Sequence, residues 1–272
     1  MLRNFLKISI LLVFILTLSY ATTLYLHGDF PMETSSTEDY DEQLKDYCLQ
    51  VLAKEVSSDY SDEMLKVQAI LVRTTIYKEI EEKGTDILQT KDEIKDFLWY
   101  QRLKKAWEAT EGQVVMYKNK LALVPFHQIS GGKTRNGKDV LGSEEYPYLQ
   151  SVECQMDINA PKQIENIFIP VKEIEIKEWD SAGYVMKISA DGEEMSGESF
   201  REMYGLASSC FDFQDFENDT RIITKGIGHG LGLSQYTANQ MTLNGKTCHE
   251  ILQFFFPGTE IKEVAEILWK VE

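Results

Sequence analysis

The sequence is short of positive charge. Over 272 residues, 28 Lys and Arg face 44 Asp and Glu, a formal net charge of −16 with a pI near 4.8. Nucleic-acid binders carry a basic footprint, so a nucleic acid is not an expected partner. Proline and glycine are sparse, at 6 and 17 residues, and 43% of the chain is apolar, which excludes collagen-like, low-complexity and fully disordered chains. The four cysteines, Cys48, Cys154, Cys210 and Cys248, form no CxxC pair. Neither a zinc ribbon nor a dense disulfide scaffold follows from them, and free buried thiols are the default reading. No internal repeat is visible.

Long apolar runs are missing except at the N-terminus. There Arg3 and Lys7 precede a charge-free stretch from Ile8 to Leu26. About 20 apolar residues span a bilayer as a helix, whereas a cleavable signal has roughly 7–15. The stretch therefore predicts a single-pass anchor over 1–27 with its basic end inside. Cleavage after Ser19-Tyr20-Ala21 is the rival; either way the remaining chain is exported. An acidic, non-periodic linker is expected over 28–42, then one domain over 43–272.

Leu44, Tyr47, Cys48, Val51 and Leu52 follow the spacing of an amphipathic helix. A second helix is predicted from the N-cap Ser61 to Lys83, stopped by Gly84 and apolar on almost every side through Val67–Val72. A third covers Lys91–Ala109. Strands are expected at Gln113–Tyr117, Leu121–Phe126, Ile164–Ile169, Glu173–Lys177, Tyr184–Ser189 and Arg221–Lys225, and two helices at Ser234–Leu243 and Thr247–Phe256. Helices first and many short strands afterwards give an α+β fold with mostly antiparallel strands.

Glu55 draws attention because the helical count from Cys48, Val51 and Leu52 places it on the apolar face. A carboxyl held out of water has a raised pKa and suits general-acid work; alternatively the helix ends there and the side chain turns to solvent. Arg73, deep in the second helix, needs an acceptor: Glu55, another acid or an anionic substrate. A strand ends in His127, followed by the small-residue loop Ser130-Gly131-Gly132-Lys133-Thr134. Glycine then alternates at Gly226, Gly228, Gly230 and Gly232 before the N-cap Ser234. This is no dinucleotide fingerprint, since Leu231, Leu233 or Gln235 falls where the last Gly must be. It reads as backbone packed against something bulky, a saccharide or another strand. His249–Gln253 misses the HExxH zinc motif at its last position.

These residues carry a resemblance. Gly228–Tyr236 resembles the GHGxGxSQYGA signature of the stage II sporulation protein D family of peptidoglycan-cleaving proteins. Glu55 with Met64–Thr74 resembles that family's catalytic-Glu segment and following helix. Phe126–Thr134, Pro147–Val152 and Phe255–Thr259 resemble further blocks in family order. The resemblance implies a membrane-anchored lytic transglycosylase cutting between N-acetylmuramic acid and N-acetylglucosamine, in septal remodelling and engulfment. It implies Glu55 as catalytic, and substrate contacts from Lys66, Gln68, Arg73, His127, Ser130, Gly131, Gly132, Thr134, His229, Ser234, Gln235 and Tyr236. Hydrolysis by water needs two carboxylates, whereas internal attack by the muramic 6-hydroxyl needs one. Implied partners are glycan strands stripped of stem peptides, a sporulation amidase and membrane proteins. Thr237 and Ile227 depart from the usual Gly and Trp or Arg. Some members hold zinc through closely spaced His and Cys; here no second such residue lies between His127 and Cys154, so no metal or cofactor is expected. The alternative is an amidase enhancer that grips glycan without cutting it.

Overall fold

The computed structural model describes residues 37–88, 94–216 and 219–264, with side chains from residue 41. The expected anchor, its rival cleavage site and most of the linker lie outside the described residues. Among those described, no helix is long and apolar enough to cross a membrane. The chain divides into two units, Met1–Lys45 and Asp46–Glu272. Helix α1 (Thr37–Glu55) runs across that boundary and begins inside the stretch read as linker.

The second unit is the α+β body. Helix α2 (Asp62–Lys83) forms as its punctuation dictates: the Ser61 hydroxyl accepts the Met64 N–H at 3.1 Å, and Gly84 ends the helix at φ +80°. Met64, Leu65, Val67, Ala69, Ile70 and Leu71 are fully buried, so α2 is the central helix. Helix α3 (Phe97–Glu108) starts later than the expected Lys91. The Asp96 carboxylate accepts the Trp99 N–H at 3.0 Å and fixes the first turn there.

Strands β1 (Gln113–Tyr117) and β2 (Lys120–Leu121) form a hairpin across Lys118 and Asn119, both at positive φ, as a two-residue mirror-image turn requires. The single strand expected over Leu121–Phe126 is split. Pro125 lacks an N–H to continue a ladder, and β3 (Phe126–His127) pairs in another sheet. After the short α4 (Gly137–Leu141) come β4 (Ile164–Ile169), β5 (Ile174–Trp179), β6 (Val185–Ala190), β7 (Glu193–Ser196), α5 (Gly197–Tyr204), β8 (Phe211–Asp215) and β9 (Thr220–Lys225). Then follow β10 (Leu233–Ser234), α6 (Gln235–Leu243), α7 (Cys248–Phe255) and β11 (Glu260–Glu263). Thr247 and Glu250 form a capping box on α7.

Among the described residues the strands form three antiparallel sheets, in orders β11-β1-β2, β4-β9-β8 and β5-β6-β7, and β3 and β10 make a parallel pair. One core gathers α2, β1, α6 and α7 around Ile70, Leu71, Val115, Ile251 and Phe255. Another gathers Val185, Ile188, Phe200, Phe211 and Ile222 from the later strands and α5. All four cysteines are buried free thiols. Burial pushes Cys48 and Cys154 up to about 12, and Cys210 and Cys248 up to about 11.

Candidate functional site

The loop leaving β9 folds along the chain that leaves β3. Ile129 and Ile227 exchange both backbone hydrogen bonds, at 3.1 and 2.7 Å, and the chain then turns so that Leu233 runs parallel to Phe126. The alternate glycines serve this approach. A Cβ on Gly228 would stand 2.8 Å from the His127 Cβ, and one on Gly232, at φ +73°, would overlap the Pro125 carbonyl oxygen. Of the two occupants considered for these glycines, the structure places another stretch of chain.

This packing sets the histidines. A carbonyl can only accept, so the 3.1 Å contact between His127 Nδ1 and the Leu231 oxygen puts the proton on Nδ1. The Leu231 N–H donates to His229 Nδ1 at 3.1 Å, which puts the His229 proton on Nε2. One residue's N–H and C=O thus fix both tautomers, with the rings 5.8 Å apart. His127 is 4% exposed and its Nε2 has no hydrogen-bond partner. Burial, then repulsion from His229, pushes its pKa down to about 3. Burial also lowers that of His229.

A consequence is measurable. Below pH 6.5 the unfolded His127 takes up a proton that the folded one refuses, so stability falls as pH drops from 6.5 towards 3. The expected slope is about 1.4 kcal/mol per pH unit. Urea unfolding of wild type and His127→Gln should show their stability difference shrinking by about 2 kcal/mol between pH 6.5 and 5. An unchanged difference would show that His127 does not stay neutral.

The loops converge on Asp157, which the sequence did not single out. It is fully buried in the 3-10 turn Gln155–Asn159. The Ser130 N–H donates to its Oδ2 at 2.7 Å, and the Ser234 and Thr237 hydroxyls donate to its Oδ1 at 2.9 and 2.7 Å. Thr237, the departure from the family signature, is therefore one of its ligands. Arg135, also unforeseen, joins the two cores. It pairs with Asp180 and Glu198 at 2.6 Å each, and its N–H donates to the Gly230 carbonyl at 2.8 Å. Tyr184 completes the join, its hydroxyl accepting the Gly131 N–H at 2.9 Å.

Glu55 is not on a buried face. It is the last residue of α1 and exposed, because a side chain at a helix end is free to leave the stripe that its spacing implies. Its backbone meets the first residue of α6, the helix that follows the glycine loop. The Gln235 side chain, 2% exposed, donates from Nε2 to the Glu55 carbonyl at 2.9 Å. Farther along the same turn, the Ser61 N–H donates to Asn239 Oδ1 at 3.0 Å, and the Ser61 and Thr242 hydroxyls lie 2.6 Å apart. The turn that carries Glu55 is thus strapped along α6.

Arg73 bonds to backbone carbonyls. Its guanidinium, 1% exposed, donates to the carbonyls of Trp107, Thr110 and Gln113 at 3.1, 2.7 and 3.1 Å and stacks 3.7 Å from the Trp107 ring centroid. Carbonyls of the last turn of α3, of the connection after it and of the first residue of β1 thus serve in place of an acid. Burial lowers the Arg73 pKa. Lys66 pairs with Glu63 at 2.8 Å, and Glu63 accepts the Cys248 N–H at the start of α7, also at 2.8 Å.

Of the residues expected to meet substrate, Arg73, Ser130, Thr134, Ser234 and Gln235 are buried and bond to protein. The Ser130 hydroxyl accepts the Gly132 N–H at 3.2 Å, and the Thr134 hydroxyl accepts the Val152 N–H at 2.8 Å. Gln68 is fully buried, with neither amide atom partnered. Those reaching the surface are Glu55, Lys66, Gly131, Gly132, His229 and Tyr236. The expected contact set therefore divides into an outer group and a buried frame that shapes it.

Comparison with known proteins meets this frame. The family model described as stage II sporulation protein matches residues 34–117, from the start of α1 through β1. Stage II sporulation protein D of Bacillus amyloliquefaciens and that of Bacillus subtilis (strain 168) are each 28% identical over 263 residues, covering 84% of this chain and 76% of the relative. The amidase enhancer of Bacillus subtilis (strain 168) is 23% identical, covering 78% of this chain and 39% of its own length. With Glu55 and α2 inside the matched segment, the chain is similar to the stage II sporulation protein D family.

Proposed function

We propose that this chain is a lytic transglycosylase acting on peptidoglycan glycan strands during sporulation, with Glu55 as its acid and base. One observation carries the reading. The Gln235 side chain, at the start of the helix that follows the glycine loop, holds the Glu55 backbone carbonyl, and the Glu55 carboxyl is exposed to receive a substrate. Glu55 protonates the glycosidic oxygen and the bond to the muramic C1 breaks. The muramic 6-hydroxyl oxygen then bonds to that same C1, and its proton passes to Glu55, which ends protonated as it began. The product is a 1,6-anhydromuramyl end, and no water enters.

The docked glycan covers Glu55 and excludes water from the bond being broken. The charge-free stretch Ile8–Leu26 tethers the domain to the membrane on its outer side, and an amidase prepares the strands by removing stem peptides.

The test is to incubate the purified full-length protein with denuded glycan strands and analyse the products by mass spectrometry. Anhydromuramyl ends accumulating with time are the expected result. Tight binding without such ends would instead support a glycan-gripping amidase enhancer, the role named for the relative at 23% identity.

A further inference from the structure

We propose that Asp157 is a positioning residue of this site, setting the catalytic turn through α6; the proposal rests on the transglycosylase reading of Glu55. Asp157 lies in the 3-10 turn between α4 and β4, outside every signature used to recognise the chain. Its carboxylate is fully buried, and among the described residues no Lys or Arg pairs with it. A buried carboxylate without a cation is costly unless hydrogen bonds surround it. Here the N–H of Ser130 and the hydroxyls of Ser234 and Thr237 do so, all within 2.9 Å.

These donors belong to two separate segments. Ser130 opens the Ser-Gly-Gly loop beyond β3. Ser234 and Thr237 are the N-cap and third residue of α6, and Ser234 accepts the Thr237 N–H at 3.3 Å while donating to Asp157. One carboxylate therefore fixes the small-residue loop and the start of α6 to each other. Between its two α6 ligands stands Gln235, whose side chain holds the Glu55 carbonyl. The path from Asp157 to the reacting carboxyl runs through Ser234 and Gln235. The negative charge of Asp157 is also felt on that turn, where it adds to burial in pushing the Tyr60 pKa up to about 12.

If Asp157 sets geometry, loosening it must slow the chemical step more than it weakens binding or stability. A displacement of about 1 Å at a reacting group costs on the order of 100-fold in rate. Asp157→Asn keeps the shape but turns an N–H2 group towards donors. Its kcat for anhydromuramyl product should fall about 30-fold, with KM changed less than about 3-fold. Thr237→Val removes one of the three bonds at nearly constant volume and should lower kcat about 5-fold; it serves as the arm of record if Asp157→Asn fails to fold.

Both variants are compared with wild type for kcat, KM and thermal midpoint on denuded strands. Reduced kcat per folded molecule at near-constant KM supports the proposal. A wild-type kcat with a lowered midpoint, or a raised KM at constant kcat, overturns it. Absence of product from wild type sinks the transglycosylase reading itself, a separate result.

Discussion

Glu55→Gln is expected to cut the release of anhydromuramyl ends by about 10²–10⁴-fold, the range in which a positioned acid or base contributes. Glutamine keeps the size and hydrogen-bonding reach of the side chain but can neither give nor take the proton. Fold and docking should survive. The Glu55 side chain is exposed, and the contact that fixes the residue is made by its backbone carbonyl, which the substitution retains. A surface change of this kind moves stability by about 0.5 kcal/mol or less. Wild type and variant should therefore share a thermal midpoint and an affinity for denuded strands while differing in product. A variant releasing anhydromuramyl ends at the wild-type rate would remove Glu55 from the mechanism.

The expectation differs from what the helical spacing alone implied, and the reason is physical. Periodicity reports which face a residue occupies while the helix lasts. At its last residue the side chain can turn to solvent, and Glu55 does. Arg73 illustrates the converse. Its burial follows from its place in an apolar helix, but its acceptors are backbone carbonyls between the last turn of α3 and the start of β1, which no residue type announces. Elements bounded by chemical punctuation were legible: Ser61 and Gly84 around α2, α7 from Thr247, and β4 at Ile164–Ile169. Those with weak punctuation were not. β7 is Glu193–Ser196, nearly all polar, and α5 has eight residues. Strand β8 carries a usable signal in its alternating Phe-Asp-Phe.

Asp157 was illegible for a different reason. Nothing in Gln155-Met156-Asp157-Ile158-Asn159 marks its carboxylate as buried. The hint lies in its donors: Ser130, Ser234 and Thr237 are small polar residues in segments otherwise packed with glycine and apolar side chains, and buried hydroxyls call for an acceptor. Arg135 hides in the same way, since Asp180 and Glu198 are far along the chain and meet it only after the later strands fold. The motif residues themselves were visible in the sequence. Their division into an outer group and a buried frame needed the coordinates.

The glycine loop yields the largest expected stability effect. Gly232→Ala meets two penalties at once. At φ +73° an L side chain is strained by about 1–2 kcal/mol, and the new methyl would overlap the Pro125 carbonyl oxygen, with the Pro125 carbonyl carbon and Cγ at 2.8 and 2.9 Å. All three are atoms of a ring or backbone and cannot swing aside as a flexible chain end would. Relief requires β10 to move off β3, which breaks the 3.0 Å bond from the Leu233 N–H to the Pro125 carbonyl. A total loss of about 3–5 kcal/mol is expected. Gly245→Ala is the matched control. Its φ is +83°, but a Cβ there meets nothing within 4 Å, so only the backbone strain applies and the loss should be about 1 kcal/mol. Urea unfolding of the two variants, at equal slope with denaturant, isolates the clash as the difference between them. Equal losses would mean that the Gly226–Gly232 loop yields freely at Pro125. The tight packing that orders both histidines and the start of α6 would then not be what holds the site in shape.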